Sequence, residues 1–201
     1  MGFLDGLFKT KTATRQELIK EFAKGLVESQ TKPPEFVGRV ALAEGQTPDR
    51  ALAEWYALEN TMMTYALWAS VGSRDKIFPI LDMYQPLLLE ALRPGCREIY
   101  LRIVSTREEQ YMRKIAEVLE SREAHRALAV RLATLMARRI TGHYNEERQE
   151  LEEGYFPFPD GPDIATAVGL WILVIGSLTG TKKVFDNLQR KFPRAFSGPM
   201  T

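Results

Sequence analysis

The side chains of this sequence that could do chemistry together form one candidate polar cluster. Glu59 interrupts a largely apolar helical pattern, where a buried carboxylate needs a charged partner or has a raised pKa. Arg138, Arg139 and His143 are the side chains that could pair with it. We favour a structural ion pair over catalysis as the role of this cluster. The sequence indicates no catalytic residue, and whether the protein is an enzyme stays open.

The motifs that usually accompany catalysis or cofactor binding are missing from this cluster and from the rest of the sequence. There is no glycine-rich phosphate loop of the GxGxxG or GxxxxGK[ST] type, and no HExxH zinc motif. Cys96 is the single cysteine, so a two-cysteine zinc or redox site cannot form within the chain. Neither His125 nor His143 follows a glutamate by three positions, as di-iron bundles require. We therefore expect no metal and no cofactor.

Charge also restricts the classes of partner. The formal net charge is +1 over 201 residues, so no overall field attracts nucleic acid. An acidic stretch at 145–163 and a basic stretch at 182–194 could pair with each other or with a second copy, or could simply face solvent. Arginines between residues 122 and 139 could bind phosphates, but no helix-turn-helix pattern accompanies them. We do not expect a nucleic-acid partner.

The element that must organise the rest of the chain is the uncharged stretch 164–181. Asp160-Gly-Pro-Asp163 precedes it with residues that favour a helix start. Small side chains recur near one face of this helix and would allow close backbone approach to a neighbour; they are Ala165, Gly169, Gly176 and Gly180. We favour a buried core helix, because a span would place the basic residues that follow it on the far side of the membrane. A short membrane span remains the alternative.

Helical periodicity and capping residues predict most of the other elements. Thr14-Arg-Gln-Glu17 reads as a capping box that opens a helix to about Gln30. Residues 35–44 predict a short helix that ends at Gly45. Thr47-Pro48-Asp49 opens a third helix, which runs to about Val71 and carries many aromatic and methionine side chains.

The remaining pattern is helical but interrupted. Residues 75–93 contain two prolines, and Pro86 is expected to kink or split the helix. Ser105–Glu108 resembles a second capping box, although one helix could also run through it. Further helices are predicted at about 122–153, with Gly142 as a candidate break, and at 182–191.

These elements define a fold class and a domain organisation. No stretch alternates like a strand, so we predict an all-α protein, an irregular bundle of about seven to nine helices around the buried apolar C-terminal helix. The domains we expect are an amphipathic segment and connector at 1–13, one all-α domain at 14–194 and a flexible tail at 195–201.

Two apolar segments are too short to bury themselves and therefore suggest contact with a partner. They comprise Phe3, Leu4, Leu7 and Phe8 near the N-terminus, and Tyr155, Phe156 and Phe158 in a proline-stiffened loop. Our leading hypothesis is a non-catalytic binding or assembly protein, an adaptor or a component of an oligomeric scaffold. We expect a protein partner or a second copy of the chain.

Two hypotheses from other classes stay open. One is a protein or enzyme that binds a small apolar ligand in a pocket between helices 48–71 and 163–179. The other is attachment to a membrane through 164–181 or the N-terminal segment. A single cysteine fits a reducing compartment, so we expect a cytoplasmic protein, with a membrane-peripheral position as the alternative.

Overall fold

The computed structural model describes residues 14–30, 42–71, 74–120, 135–136 and 138–142, and the positions 169, 183, 186–187 and 190. Four helices account for most of them: α1 (Arg15–Gln30), α2 (Pro48–Val71), α3 (Arg74–Ala91) and α4 (Pro94–Glu120). No strand occurs in these residues, and the all-α prediction is confirmed. In the part of the chain that the structure describes, these four long helices are fewer than the seven to nine helices that the sequence pattern predicted. One reason is that α4 runs without interruption through Ser105–Glu108.

The capping box predicted before α1 is present. The Thr14 backbone N–H donates to Glu17 Oε2 at 2.8 Å, and the Glu17 N–H donates to Thr14 Oγ1 at 3.3 Å. These two bonds satisfy donors that the first turn of a helix otherwise leaves open. The hydrogen bonds from Thr14 also lower the pKa of the Glu17 carboxyl. The buried stripe of α1 then follows the predicted spacing, with Leu18, Ile19, Phe22, Leu26 and Val27 at most 8% exposed.

The start of α2 is also as predicted, whereas the end of the short helix predicted before it is not; residues 35–41 lie outside the described residues. The Thr47 hydroxyl accepts from the Arg50 N–H at 3.2 Å, and Pro48 occupies the first helical position, where no donor is needed. The short helix predicted at 35–44 does not extend to Glu44, because residues 42–43 are not helical. There the Ala43 N–H donates to Thr141 O at 2.8 Å, a distant carbonyl, so a long-range bond replaces the local helical one.

Helix α3 continues through both of its prolines, so the chain is not split at Pro86. An interior proline costs about 3 kcal/mol of helix stability. The opposing contribution comes from a fully buried stripe at helical spacing: Ile77, Ile80, Tyr84 and Leu88 are each 0% exposed. Helix α3 packs against α1 within the same compact unit.

The chain forms two compact units. The first comprises residues 1–32, 64–92 and 179–201, and the second comprises 33–63 and 93–178. In the first unit the described residues are α1, α3, the last part of α2 and positions 183, 186–187 and 190, which are helical as the pattern at 182–191 predicts. The prediction of a single domain at 14–194 stays a prediction.

The second unit holds the first part of α2, all of α4 and the helical residues 135–136 and 138–141. Its core includes Trp55, Leu58, Met62 and Met136, all nearly or fully buried. The aromatic and methionine side chains that α2 contributes to this unit are therefore part of its core. Considering only the helices that the structure describes, none is both long and apolar enough to cross a bilayer.

Candidate functional site

A partly enclosed pocket of about 210 Å³ lies in the second unit. Three elements and one loop contribute to it: the loop at 42–47, the beginning of α2, the middle of α4 and the segment that ends at residue 142. The lining residues are Glu44, Gly45, Gln46, Arg50, Glu54, Arg107, Arg139 and Gly142. Five of these eight residues are charged, so the pocket differs from the apolar one that the sequence suggested between 48–71 and 163–179. Most of the latter range lies outside the described residues.

The floor of the pocket contains a buried ion pair between Glu54 of α2 and Arg107 of α4. Arg107 Nε donates to Glu54 Oε2 at 2.9 Å, and Arg107 Nη2 donates to Glu54 Oε1 at 2.9 Å. The side chains are only 5% and 2% exposed. A third donor, Arg107 Nη1, reaches Gln110 Oε1 at 3.2 Å on the next turn of α4. Bidentate pairing of this kind fixes both the position and the plane of the guanidinium.

Arg107 was not among the residues that the sequence singled out, although a signal for it exists. The buried side chains of α4 include Tyr100, Tyr111 and Ile115, and Arg107 falls on the same helical stripe. An arginine at a position that the periodicity assigns to the core implies a buried carboxylate elsewhere. Glu54, one of two buried glutamates in the apolar part of α2, is that carboxylate.

The predicted polar cluster is buried where the structure describes it. Glu59, Arg138 and Arg139 are 7%, 6% and 3% exposed, while His143 lies outside the described residues. The Arg139 guanidinium lies over the ring of Tyr111, 5.7 Å from the centroid. A cation over an aromatic face is attracted by the ring, so this contact helps to stabilise the buried guanidinium. The pairing of Glu59 with an arginine of this cluster stays a prediction.

Gln46 connects the 42–47 loop, which forms one wall of the pocket, to the helical segment at 138–141. Its amide nitrogen donates to Arg139 O and to Ile140 O, both at 2.9 Å. These carbonyls belong to the last turn of the segment, where no intrahelical donor is available. Together with the bond from Ala43 to Thr141, these contacts hold the 42–47 loop against a chain segment more than 90 residues away.

Glycines are required, for different reasons, at two positions of the pocket lining. Gly142 ends the helical segment with φ of 86°, a left-handed conformation typical of helix C-termini. A Cβ there would also lie 2.6 Å from the Cβ of Gln46. Gly45 has φ of 81° in the loop turn, but a Cβ there would meet nothing within 4 Å. The candidate break at Gly142 is therefore confirmed, and the close approach explains why Gln46 reaches the carbonyls.

The rim of the pocket carries one exposed charge of each sign, Glu44 and Arg50. Arg50 belongs to the first turn of α2, immediately after the Thr47 cap. The acidic residue of that turn, Asp49, has its carboxylate engaged by Arg93 at 2.6 Å. The beginning of α2 thus presents Arg50 beside the pocket, while Asp49 is paired with Arg93.

Burial raises the pKa of several groups elsewhere in the second unit, among them Glu108, Cys96 and Tyr56. Burial raises the pKa of the Cys96 thiol to about 11, with a smaller contribution from the charge of Asp49. Burial also raises the pKa of the Tyr56 hydroxyl to about 12. The Cys96 thiol and the Tyr56 hydroxyl are neutral at neutral pH, so their role there is packing. Among the side chains that the structure describes, no group of three His, Cys, Asp or Glu residues could hold a metal ion.

Most of the interaction residues proposed from the sequence lie outside the described residues. Gly169 is the exception, being helical and half-buried. The residues outside are Phe3, Leu4, Leu7, Phe8, Tyr155, Phe156, Phe158, Ala165, Gly176 and Gly180. Their proposed roles stay predictions.

Comparison with known proteins gives no relative from which a role could be transferred: no family model, no curated protein and no solved structure matches the chain.

Proposed function

We propose that this all-α protein acts by binding, and that the polar pocket of its second unit is the site for a small polar ligand. The observation that carries the proposal is the buried Glu54–Arg107 pair at the floor of an open pocket. Burying two charges costs several kcal/mol per ion before their attraction is counted, and well-packed apolar side chains are often at least as stabilising. Binding of a ligand gives a reason for charged side chains at these two positions, whereas core packing alone would be served as well by apolar side chains.

The chemistry of the lining favours binding over proton transfer. A guanidinium stays protonated at every pH at which proteins work, so Arg107 and Arg139 can donate hydrogen bonds but cannot act as acids or bases. Both oxygens of the Glu54 carboxylate accept hydrogen bonds from Arg107, so this carboxylate is held in the ion pair. These groups provide fixed charges and oriented donors, which are the means by which a pocket selects a polar ligand.

The size of the pocket limits the ligand. A volume of about 210 Å³ is below the roughly 300–1,000 Å³ typical of sites for drug-sized molecules. At about 30 Å³ per water molecule, it corresponds to roughly seven waters. The ligand we propose is therefore a small metabolite-sized molecule or a part of a larger one that inserts only its polar group.

Arginine side-chain NMR on the full chain tests this proposal. The Nε–Hε signals of Arg107 and Arg139 report on the floor of the pocket, and the signal of exposed Arg113 on α4, which does not line the pocket, is the internal control. In a screen of small polar fragments we expect some to shift the two floor signals and leave the control signal in place. A screen in which no fragment moves the floor signals would refute the pocket as a ligand site.

Assembly through the apolar segments is a second candidate function, because four large apolar side chains fall within residues 3–8 of the sequence. Light scattering of the wild type and of a variant with Phe3, Leu4, Leu7 and Phe8 replaced by serine tests it. Loss of self-association in the variant is the expected result, and unchanged association contradicts this role for the N-terminal segment.

A further inference from the structure

We infer that the ligand of this pocket is a small oxyanion, a carboxylate or a phosphate group, held at the rim by Arg50. This inference rests on the proposed function and specifies the chemical class of its ligand. It follows from the charges that line the pocket, from the way two carboxylates are already engaged, and from the position of Arg50 on α2.

The charge of the lining is positive. Three arginines and two glutamates line the pocket, which gives a formal charge of +1. Glu54 accepts hydrogen bonds from Arg107 on both oxygens and is only 2% exposed, so little of its carboxylate is accessible to a cationic ligand. Because the Glu54 and Arg107 side chains are at most 5% exposed, their charges are screened less by salt and water than charges on an open surface.

The beginning of α2 adds to this preference. Gln46 and Arg50, on either side of the Thr47 cap, both line the pocket, so the positive end of the α2 dipole lies beside it. Asp49, the acidic residue of the same turn, forms an ion pair with Arg93. Arg50 itself is exposed at the rim, where its planar fork can take two oxygens of a carboxylate or phosphate at once.

Glu44 sets a limit on the charge of the ligand. It is exposed at the same rim and repels a second negative group at the mouth of the pocket. A ligand with one anionic group directed inward, and a neutral or donor group near Glu44, satisfies both rim residues. Arg50 and Glu44 therefore have opposite effects on the same ligand.

The inference is tested with four probes on the full chain, read out by the Arg107 and Arg139 Nε–Hε signals. Acetate and acetamide have nearly the same shape but differ in charge, while inorganic phosphate and methylammonium extend the comparison to a second oxyanion and to a cation. Acetate and phosphate are expected to shift the floor signals, with an affinity that falls as salt is added. Acetamide and methylammonium are expected to leave them in place.

Variants at the rim provide an independent test. Arg50→Gln is expected to weaken acetate and phosphate binding about twofold to fivefold, and Glu44→Gln to strengthen it by a similar factor, the range for an exposed charge interaction. Arg113→Gln and Glu109→Gln, exposed on α4 and absent from the lining, are the matched controls and should leave the affinity unchanged.

The outcomes separate this inference from the proposed function. If acetamide or methylammonium binds as well as acetate, or if Arg50→Gln has no effect on oxyanion affinity, the inference is overturned while the pocket remains a ligand site. If none of the probes or fragments moves the floor signals, both fail together.

Discussion

Replacing one partner of the Glu54–Arg107 pair should cost far more stability than replacing both. Each side chain is at most 5% exposed, and two hydrogen bonds of 2.9 Å join them. Glu54→Leu leaves a buried guanidinium without its carboxylate, and Arg107→Met leaves a buried carboxylate without its guanidinium. Each single change should lower the free energy of unfolding by about 3–5 kcal/mol.

The double variant Glu54→Leu/Arg107→Met removes both charges and fills the space with apolar atoms. Because apolar replacement of a whole buried pair is often neutral or stabilising, the double variant should lie within about 2 kcal/mol of the wild type. The two single costs together are about 6–10 kcal/mol, so the cycle predicts a large coupling between the positions.

Urea denaturation followed by circular dichroism measures these free energies, provided that the slope with denaturant is unchanged between variants. The exposed pair Lys114–Glu117, at 3.0 Å on α4, is the matched control, and its removal should cost no more than about 0.5 kcal/mol. Single variants that cost less than about 1 kcal/mol, or a double variant whose cost equals the sum of the singles, would refute the reasoning from burial.

Three further predictions concern the backbone, the pH dependence and a helix cap. Gly45→Ala should lower the free energy of unfolding by about 1–2 kcal/mol, because Gly45 has a left-handed backbone conformation. Gly142→Ala should lower it further in the same urea assay, because the added Cβ would also meet the Gln46 side chain at 2.6 Å. Equal costs for the two variants would contradict this reasoning. In the folded protein the pKa of Cys96 is about 11 and that of Tyr56 about 12, above their ordinary values of 9.0 and 10.0. The stability that these neutral groups contribute is therefore complete below pH 9 and is lost as the pH rises towards 12. Thermal melts across this window should therefore fall less steeply for Tyr56→Phe than for the wild type, and parallel curves would speak against burial as the cause. Thr14→Ala should lower the unfolding free energy by about 0.5–2 kcal/mol, measured by urea denaturation, and no change would mean that the cap does not stabilise α1.

The elements that sequence analysis predicted well depend on interactions within a few residues. The Thr14–Glu17 box and the Thr47 cap join groups three positions apart, so their residue types alone specify the bonds. The buried stripe of α1 was likewise evident from helical spacing, since a helix places every third or fourth side chain on one face. At the prolines of α3 the local pattern predicted a kink or a break at Pro86. The helix continues there, because burial of its apolar stripe opposes the cost of the prolines.

By itself, the sequence determined that the chain is helical, where α1 and α2 begin, and that the charged residues within apolar patterns need partners. Only the tertiary structure decided which partners these are. Arg107 and Glu54 are 53 positions apart, and Gln46 contacts carbonyls 93 and 94 positions away. Such contacts form when helices pack, and the packing depends on how all apolar faces are buried together, which no local pattern encodes. The pocket exists because of these long-range contacts, and for that reason it was absent from the sequence-based prediction.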